Sequence, residues 1–373
     1  MLDALGKLGV SLSFEKDTAS CRIVGCDGGF PVEQADLYLG NAGTVMRPLC
    51  AMLAFQSGTF SLSGEPRMCE RPIADLVNAL KGLGAKIIYD GKEGYPPVRI
   101  LPSEITSRRA IVEGGVSSQF LSALLMAAPL TPEGVAVDVN GDLVSKPYVE
   151  ITLKMMEMFG VPARNDHYRR LEVGKGSSYR SPGRLAVEGD ATAATYFLSA
   201  AAIRGGTVTV KGVGFESIQG DSLYADVLEK MGAVVEKGPG WIRVTGGELR
   251  GIDIDMNHMP DAAMTLAATA LFAGGKTGIR NIANLRVKES DRITALSNEL
   301  RKVGAGVEEG GDYLVIDPPD EIREAEIDTY NDHRIAMAMS LAALGKSAIK
   351  IKNPECTSKT FPEYFTEFRK IIQ

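Results

Sequence analysis

Two helical markers recur along this chain with one shared period, and that limits its fold more than any other feature. The first is an amphipathic segment that stops at a glycine, seen at 1–10, 74–85, 149–161, 224–233 and 292–305. The stopping glycines are Gly9, Gly84, Gly160, Gly232 and Gly304, spaced 75, 76, 72 and 72 residues apart. In the second of these segments Ile73, Leu76, Val77, Leu80 and Leu83 fall on one helical face. A glycine at the end suits a left-handed helix stop.

The second marker is a helix start with a short polar residue. Gly43, Ser117, Asp190, Asp261 and Asp332 mark these starts, at spacings of 74, 73, 71 and 71. The helices that follow, such as 120–130 and 262–273, are rich in Ala, Leu and Met and nearly free of charge. A helix that is apolar all round is a buried one. Short β-branched runs such as Thr207-Val208-Thr209-Val210 read as strands between the helices. The expected fold is an α/β protein of repeated units. A last surface helix, 361–372, brings the count to six surface helices and five buried ones. That count leads to the expectation of an incomplete first unit, with a strand–helix–strand segment missing ahead of residue 1.

Composition narrows the function classes. The chain has 373 residues, 45% hydrophobic and 24% charged, which suits a soluble protein of two domains. A net charge of −6 argues against a general nucleic-acid or membrane binder, though not against local cationic clusters. Five cysteines without a C-x-x-C pair, and three scattered histidines, suit a reduced cytoplasmic protein without structural zinc. The longest apolar stretches fall short of the roughly 20 residues that span a bilayer. Gly174-Lys175-Gly176-Ser177-Ser178 lacks the upstream glycine spacing of a phosphate loop.

Buried helix starts combine free N–H groups with a positive dipole end, so several together can hold phosphate or carboxylate. Here they carry Ser117, Ser118, Gln119, Asp261, His333 and Arg334, which a core would not accept unpaired. Three cationic segments accompany them: the Pro-bracketed loop 64–72 with Arg71, the run Asn284 to Arg292, and Lys359 before the last helix. Guanidinium forks suit bidentate binding of phosphate or carboxylate. Together these point to a small polyanionic substrate.

At these residues the chain resembles the 5-enolpyruvylshikimate-3-phosphate synthase family. Leu39-Gly40-Asn41-Ala42-Gly43-Thr44 followed by Met46-Arg47-Pro48 is similar to one family signature, and Arg286-Val287-Lys288-Glu289-Ser290-Asp291-Arg292 to another. Blocks at 64–72, 117–119, 145–148, 259–262 and 331–334, and Lys359, follow in order. The resemblance implies a two-domain inverse α/β barrel of βαβαββ units, divided as 1–187 and 188–373, with the substrates in the cleft between. The first domain would mainly bind shikimate 3-phosphate. The second would carry the catalytic Asp and much of the phosphoenolpyruvate site.

By the same resemblance, Ser117, Ser118, Gln119, Ser145, Tyr148, Asp261, Asn284 and Lys288 would hold shikimate 3-phosphate. Gly43, Arg71, Gln119, Arg292, Arg334 and Lys359 would hold phosphoenolpyruvate. Asp261 would accept the 5-hydroxyl proton and Glu289 would move protons at the methylene. No metal or organic cofactor is implied, and the partners are the two substrates, with no nucleic acid and no membrane. The herbicide glyphosate would compete near Gly43. The family's opening Pro-Gly-Ser-Lys-Ser-type segment has no counterpart here. A weakly active or inactive fragment, needing a complementary N-terminal piece, is therefore one alternative to a working monomer. A UDP-N-acetylglucosamine enolpyruvyl transferase is another, kept open by Cys69 in the Arg71 loop.

Overall fold

The computed structural model describes residues 1–15 and 20–372. The chain forms two compact units, Met1–Leu185 and Ala186–Gln373, each with its own hydrophobic core.

Unit 1 contains α1 (Leu2–Lys7), α2 (Gly43–Ala54), α3 (Ala74–Leu83), α4 (Ser118–Ala127) and α5 (Lys146–Met158). Its strands are β1 (Leu12–Glu15), β2 (Ser20–Ile23), β3 (Gln34–Tyr38), β4 (Thr59–Ser63), β5 (Lys86–Tyr89), β6 (Val98–Leu101), β7 (Arg109–Glu113), β8 (Val135–Asn140), β9 (Ala163–Asp166) and β10 (Arg170–Val173). Two sheets of identical plan result. In order β3-β4-β6-β5, the first two strands are parallel and the remaining pairs antiparallel. The sheet β7-β8-β10-β9 repeats that pattern. Each parallel pair is bridged by a central helix, α2 or α4, because parallel neighbours need a crossover connection. A surface helix and a hairpin complete the βαβαββ unit.

Unit 2 contains α6 (Ala191–Arg204), α7 (Tyr224–Met231), α8 (Ala263–Thr269), α9 (Arg292–Lys302), α10 (His333–Met339) and α11 (Tyr364–Ile372). Its strands are β11 (Thr207–Lys211), β12 (Val234–Gly238), β13 (Trp241–Thr245), β14 (Asp253–Asp255), β15 (Thr277–Arg280), β16 (Gly306–Glu309), β17 (Leu314–Asp317), β18 (Ala325–Ile327) and β19 (Ile349–Ile351). The sheet β14-β15-β17-β16 has the same plan as the two in unit 1. Sheets β11-β13-β12 and β18-β19 each carry part of it. The described residues thus hold the five apolar helices and six amphipathic ones expected from the period.

All five stopping glycines have positive φ, between +80° and +116°. At Gly84 an added Cβ would lie 2.5 Å from the Glu104 carbonyl oxygen, so both conformation and space require glycine there. Several boundaries differ from the expected ones. Helix α5 begins at Lys146, three residues before Val149, because Pro147 fits the first helical turn. The last helix begins at Tyr364, past Pro362, rather than at 361. Three central helices tighten at their ends into single turns, Ala128–Leu130, Ala270–Phe272 and Ser340–Leu344.

The central helices of unit 2 are less uniformly apolar than their composition suggests. Their hydroxyls bond across helix boundaries: Thr195 to Thr265 at 2.8 Å, Ser199 to Tyr224 at 2.8 Å, and Tyr224 to Thr269 at 3.2 Å. Ser340 meets Tyr364 in the same way at 2.8 Å. These pairs satisfy polar groups that burial would otherwise penalise.

Candidate active site

In unit 1 the start of α2 places Gly43 in a crowded position. A Cβ built there would lie 2.6 Å from Arg47 Nη1, 2.6 Å from Arg71 Nη2 and 3.0 Å from Gln119 Oε1. Two guanidiniums and an amide therefore converge on a backbone without a side chain. Both arginines are buried, at 3% exposure each. Arg71 donates from Nη1 to the Asn41 carbonyl and to Asn41 Oδ1, both at 3.0 Å. Arg47 donates from Nη2 to the Pro72 carbonyl at 3.0 Å. Each fork is thus held on one side by neighbouring oxygens.

The start of α4 lies beside this cradle through Gln119. Ser117 caps the helix, accepting from the Gln119 backbone N–H, and Ser118 is buried. Helix α5 is tied to α4 by the Ser122–Thr152 hydroxyl pair at 2.8 Å. One helical turn before those partners stand Ser118 and Tyr148. Ser145, just ahead of α5, is buried and has φ +55°, a conformation that residues other than glycine rarely adopt.

In unit 2 the expected residues gather round one side chain, Arg292, the first residue of α9 and 1% exposed. Its Nε donates to Asp332 Oδ2 at 2.8 Å and its Nη1 to Asp261 Oδ1 at 2.9 Å. Its Nη2 meets Asp332 Oδ1 at 3.1 Å and Glu289 Oε2 at 2.9 Å. One guanidinium thereby fixes three carboxylates. Three more cations rim them. Lys359 Nζ lies 2.8 Å from Glu289 Oε1, Arg334 Nη2 lies 3.1 Å from Asp261 Oδ2, and Lys288 Nζ lies 4.0 Å from Asp261 Oδ1. Ser290 donates to Asp332 at 2.9 Å. Among these directly paired groups the cations outnumber the carboxylates four to three, which suits an anionic ligand.

The electrostatics follow from this arrangement. Burial alone would push the Asp261 carboxyl up, but Arg334, Lys288 and Arg292 override it and hold the group well below the usual carboxylate range. Asp332 shows the same balance, burial being overcome chiefly by Arg292. His333 is pushed down to about 3, by burial first and then by Arg334 and Arg292. It is therefore a neutral imidazole at the start of α10.

The sequence pointed to Asp261, Lys288, Glu289, Arg292, Arg334 and Lys359 of unit 2, and the structure brings all six together. Asn284 is buried in the turn Ala283–Val287, which leads into the segment carrying Lys288 and Glu289. Two participants had no side-chain role among the expected site residues. Arg47 is the only charge in α2, and that isolation in an apolar helix was a usable signal. Asp332 was expected as a helix start within the block 331–334, and it does cap α10 through the Arg334 N–H. Its second role, as the bidentate partner of Arg292, depends on a pairing 40 residues away in sequence.

Buried guanidiniums set among carboxylates at helix starts define a protein that binds small, densely anionic metabolites. The family model of EPSP synthase (3-phosphoshikimate 1-carboxyvinyltransferase) matches residues 1–368. The chain is 56% identical to the 3-phosphoshikimate 1-carboxyvinyltransferases of two Escherichia coli strains, CFT073 and UMN026. Each match covers 100% of this chain and 87% of the relative. An EPSP synthase structure from Acinetobacter baumannii superposes with a TM-score of 0.78 at 26% identity, covering 99% of this chain and 86% of that one.

The chain belongs to the EPSP synthase family. The relatives named here give no support to a UDP-N-acetylglucosamine enolpyruvyl transferase, to an inactive fragment, or to a missing leading segment with a complementary piece.

Proposed function

We propose that the protein transfers the enolpyruvyl group of phosphoenolpyruvate to the 5-hydroxyl of shikimate 3-phosphate and releases phosphate. One observation carries this reading: Arg292 holds Asp261, Glu289 and Asp332 together, with Lys288, Arg334 and Lys359 around them. The reaction joins two anions, so it needs cations to offset their repulsion and to stabilise departing phosphate.

In this reading Asp261 accepts the hydroxyl proton as the oxygen attacks C2 of phosphoenolpyruvate. C3 gains a proton through Glu289, which sits between Arg292 and Lys359. The tetrahedral adduct then loses that C3 proton and expels phosphate, leaving the enolpyruvyl ether. Asp261 is a weak base while three cations face it. Substrate phosphate and carboxylate groups pairing with Lys288 and Arg334 would relieve that field and raise its basicity, so binding itself prepares the base.

Arg71, Gln119, Arg292, Arg334 and Lys359 are assigned to phosphoenolpyruvate, which Gly43 lets approach the α2 backbone. Ser117, Ser118, Gln119, Ser145, Tyr148, Asn284 and Lys288 are assigned to shikimate 3-phosphate, together with Asp261. Unit 1 in this reading serves mainly shikimate 3-phosphate. No helix of the described residues is long and apolar enough to cross a membrane, and we place the enzyme in the cytoplasm as a monomer.

Phosphate release from purified protein supplied with both substrates tests the function. Turnover with shikimate 3-phosphate as acceptor is expected. Release only with UDP-N-acetylglucosamine, or with neither acceptor, would overturn it. Gly43→Ala tests the cradle. Its methyl group must displace both arginine tips, so KM for phosphoenolpyruvate should rise about tenfold, roughly 1.4 kcal/mol of lost binding. Glyphosate inhibition should weaken in parallel, and an unchanged KM would remove Gly43 from the site.

A further inference from the structure

At the start of α6 lies a further buried carboxylate, Asp221, in the single turn Gly220–Leu223 that leads into α7. It is 4% exposed and accepts a hydrogen bond from Thr192 Oγ1 in the first turn of α6. Its loop is tied to the same helix start. Gln219 accepts from the Ala191 N–H at 2.9 Å and donates to the Gly189 carbonyl at 2.7 Å. Glu188 accepts from the Ile218 N–H at 3.0 Å. Asp190 caps α6 through the Ala193 N–H. One turn past Thr192, Tyr196 is fully buried. Thr195, one turn past Thr192, bonds Thr265, one turn past Asp261, so the start of α6 that holds Asp221 lies beside the start of α8 that carries the Asp261–Arg334 pair.

A buried carboxylate is costly unless something offsets its charge. The groups acting on Asp221 are Thr192 and Asp190 from α6, Asp261 from ahead of α8, and Arg334 from α10. On α7, Glu229 and Lys230 are exposed and Asp226 bonds Lys237. Asp221 is therefore coupled to the two residues that face substrate in the reading above, on which this inference rests.

We propose that Asp221, bonded to Thr192 beside the helix start that carries the Asp261–Arg334 pair, is a positioning residue that sets how freely Arg334 can engage an anionic substrate. Burial, and then the like charge of Asp261, push its carboxyl up to about 6, with Thr192 and Arg334 opposing. Ionised, Asp221 attracts Arg334 and competes with the substrate anion. Protonated, it releases that hold. Affinity for an anion at Arg334 should accordingly fall as pH rises through about 6.

Asp221→Asn keeps the size and the acceptor for Thr192 but removes the charge. KM for phosphoenolpyruvate is measured from pH 5 to 8.5 in both proteins, and their ratio cancels the substrate's own titration. The wild-type KM should match the variant's near pH 5 and exceed it about fivefold at pH 8, an effect of one charge at moderate effective dielectric. A flat ratio would overturn the proposal, since a purely structural role would move the melting temperature and not this profile. Should Asp221→Asn fail to fold, Thr192→Val removes the bond that favours the ionised form. The pH midpoint must then move upward, and an unmoved midpoint counts against the proposal. If the wild type shows no turnover, the functional reading fails by itself. Inorganic phosphate binding by calorimetry, on the same proteins over the same pH range, still decides the role of Asp221 by the same ratio.

Discussion

Replacing Asp261 with asparagine is expected to lower kcat about a thousandfold, equivalent to roughly 4 kcal/mol in the barrier. The amide keeps the shape of the carboxylate and can still accept from Arg292, but it cannot take a proton from the attacking hydroxyl. The substitution also removes one of three negative charges facing Lys288, Arg292, Arg334 and Lys359. Anionic substrates should therefore bind no more weakly, and KM for phosphoenolpyruvate should hold or fall. That split between kcat and KM separates loss of a base from loss of a binding group. Steady-state kinetics on the purified variant reads both. A kcat within tenfold of the wild type would show that another group takes the proton.

Arg292→Met should produce the largest change in stability. The methionine can fill much of the space, yet it leaves Asp332 fully buried beside Glu289 and Asp261 with its main counter-charge gone. Removing one partner of a buried ion pair costs about 3–5 kcal/mol. For a unit of this size that corresponds to a fall of about 10 °C in melting temperature. The sign of the pH dependence follows from Asp332, whose carboxyl is held below its usual range by Arg292. Its stabilising contribution is present above the unfolded-state value and is lost as pH falls through the depressed folded value. In the variant that contribution disappears, so the gap in melting temperature should be wide at pH 7 and narrow in strong acid. Calorimetry at several pH values measures this. An equal gap at every pH would mean that Arg292 stabilises by packing rather than by charge.

Much of this architecture was readable because helix stops and helix starts are local events. Gly84 and Gly232 adopt left-handed conformations that their own neighbourhoods demand, and Ser117, Asp190 and Asp332 cap helices that begin beside them. A shared period then converted local signals into repeated βαβαββ units. The Arg292 neighbourhood was partly readable, because Lys288, Glu289 and Arg292 stand close together in sequence. What escaped was pairing at a distance. Nothing near Asp332 announces that Arg292 will be its partner. The extra helical turn that starts α5 at Lys146 was hidden because Pro147 reads first as a breaker and only second as a first-turn residue.

The hydroxyl pairs between the central helices of unit 2 have a consequence for alignment. Alanine-rich helices offer one another smooth, nearly interchangeable surfaces, and contact area alone would tolerate a slip of one turn along the axis. Thr195 on Thr265, and Tyr224 between Ser199 and Thr269, cannot slip without stranding oxygens in an oily interior. They act as dowels, so the helix ends that carry Thr192 and Asp261 arrive at the same height each time the chain folds.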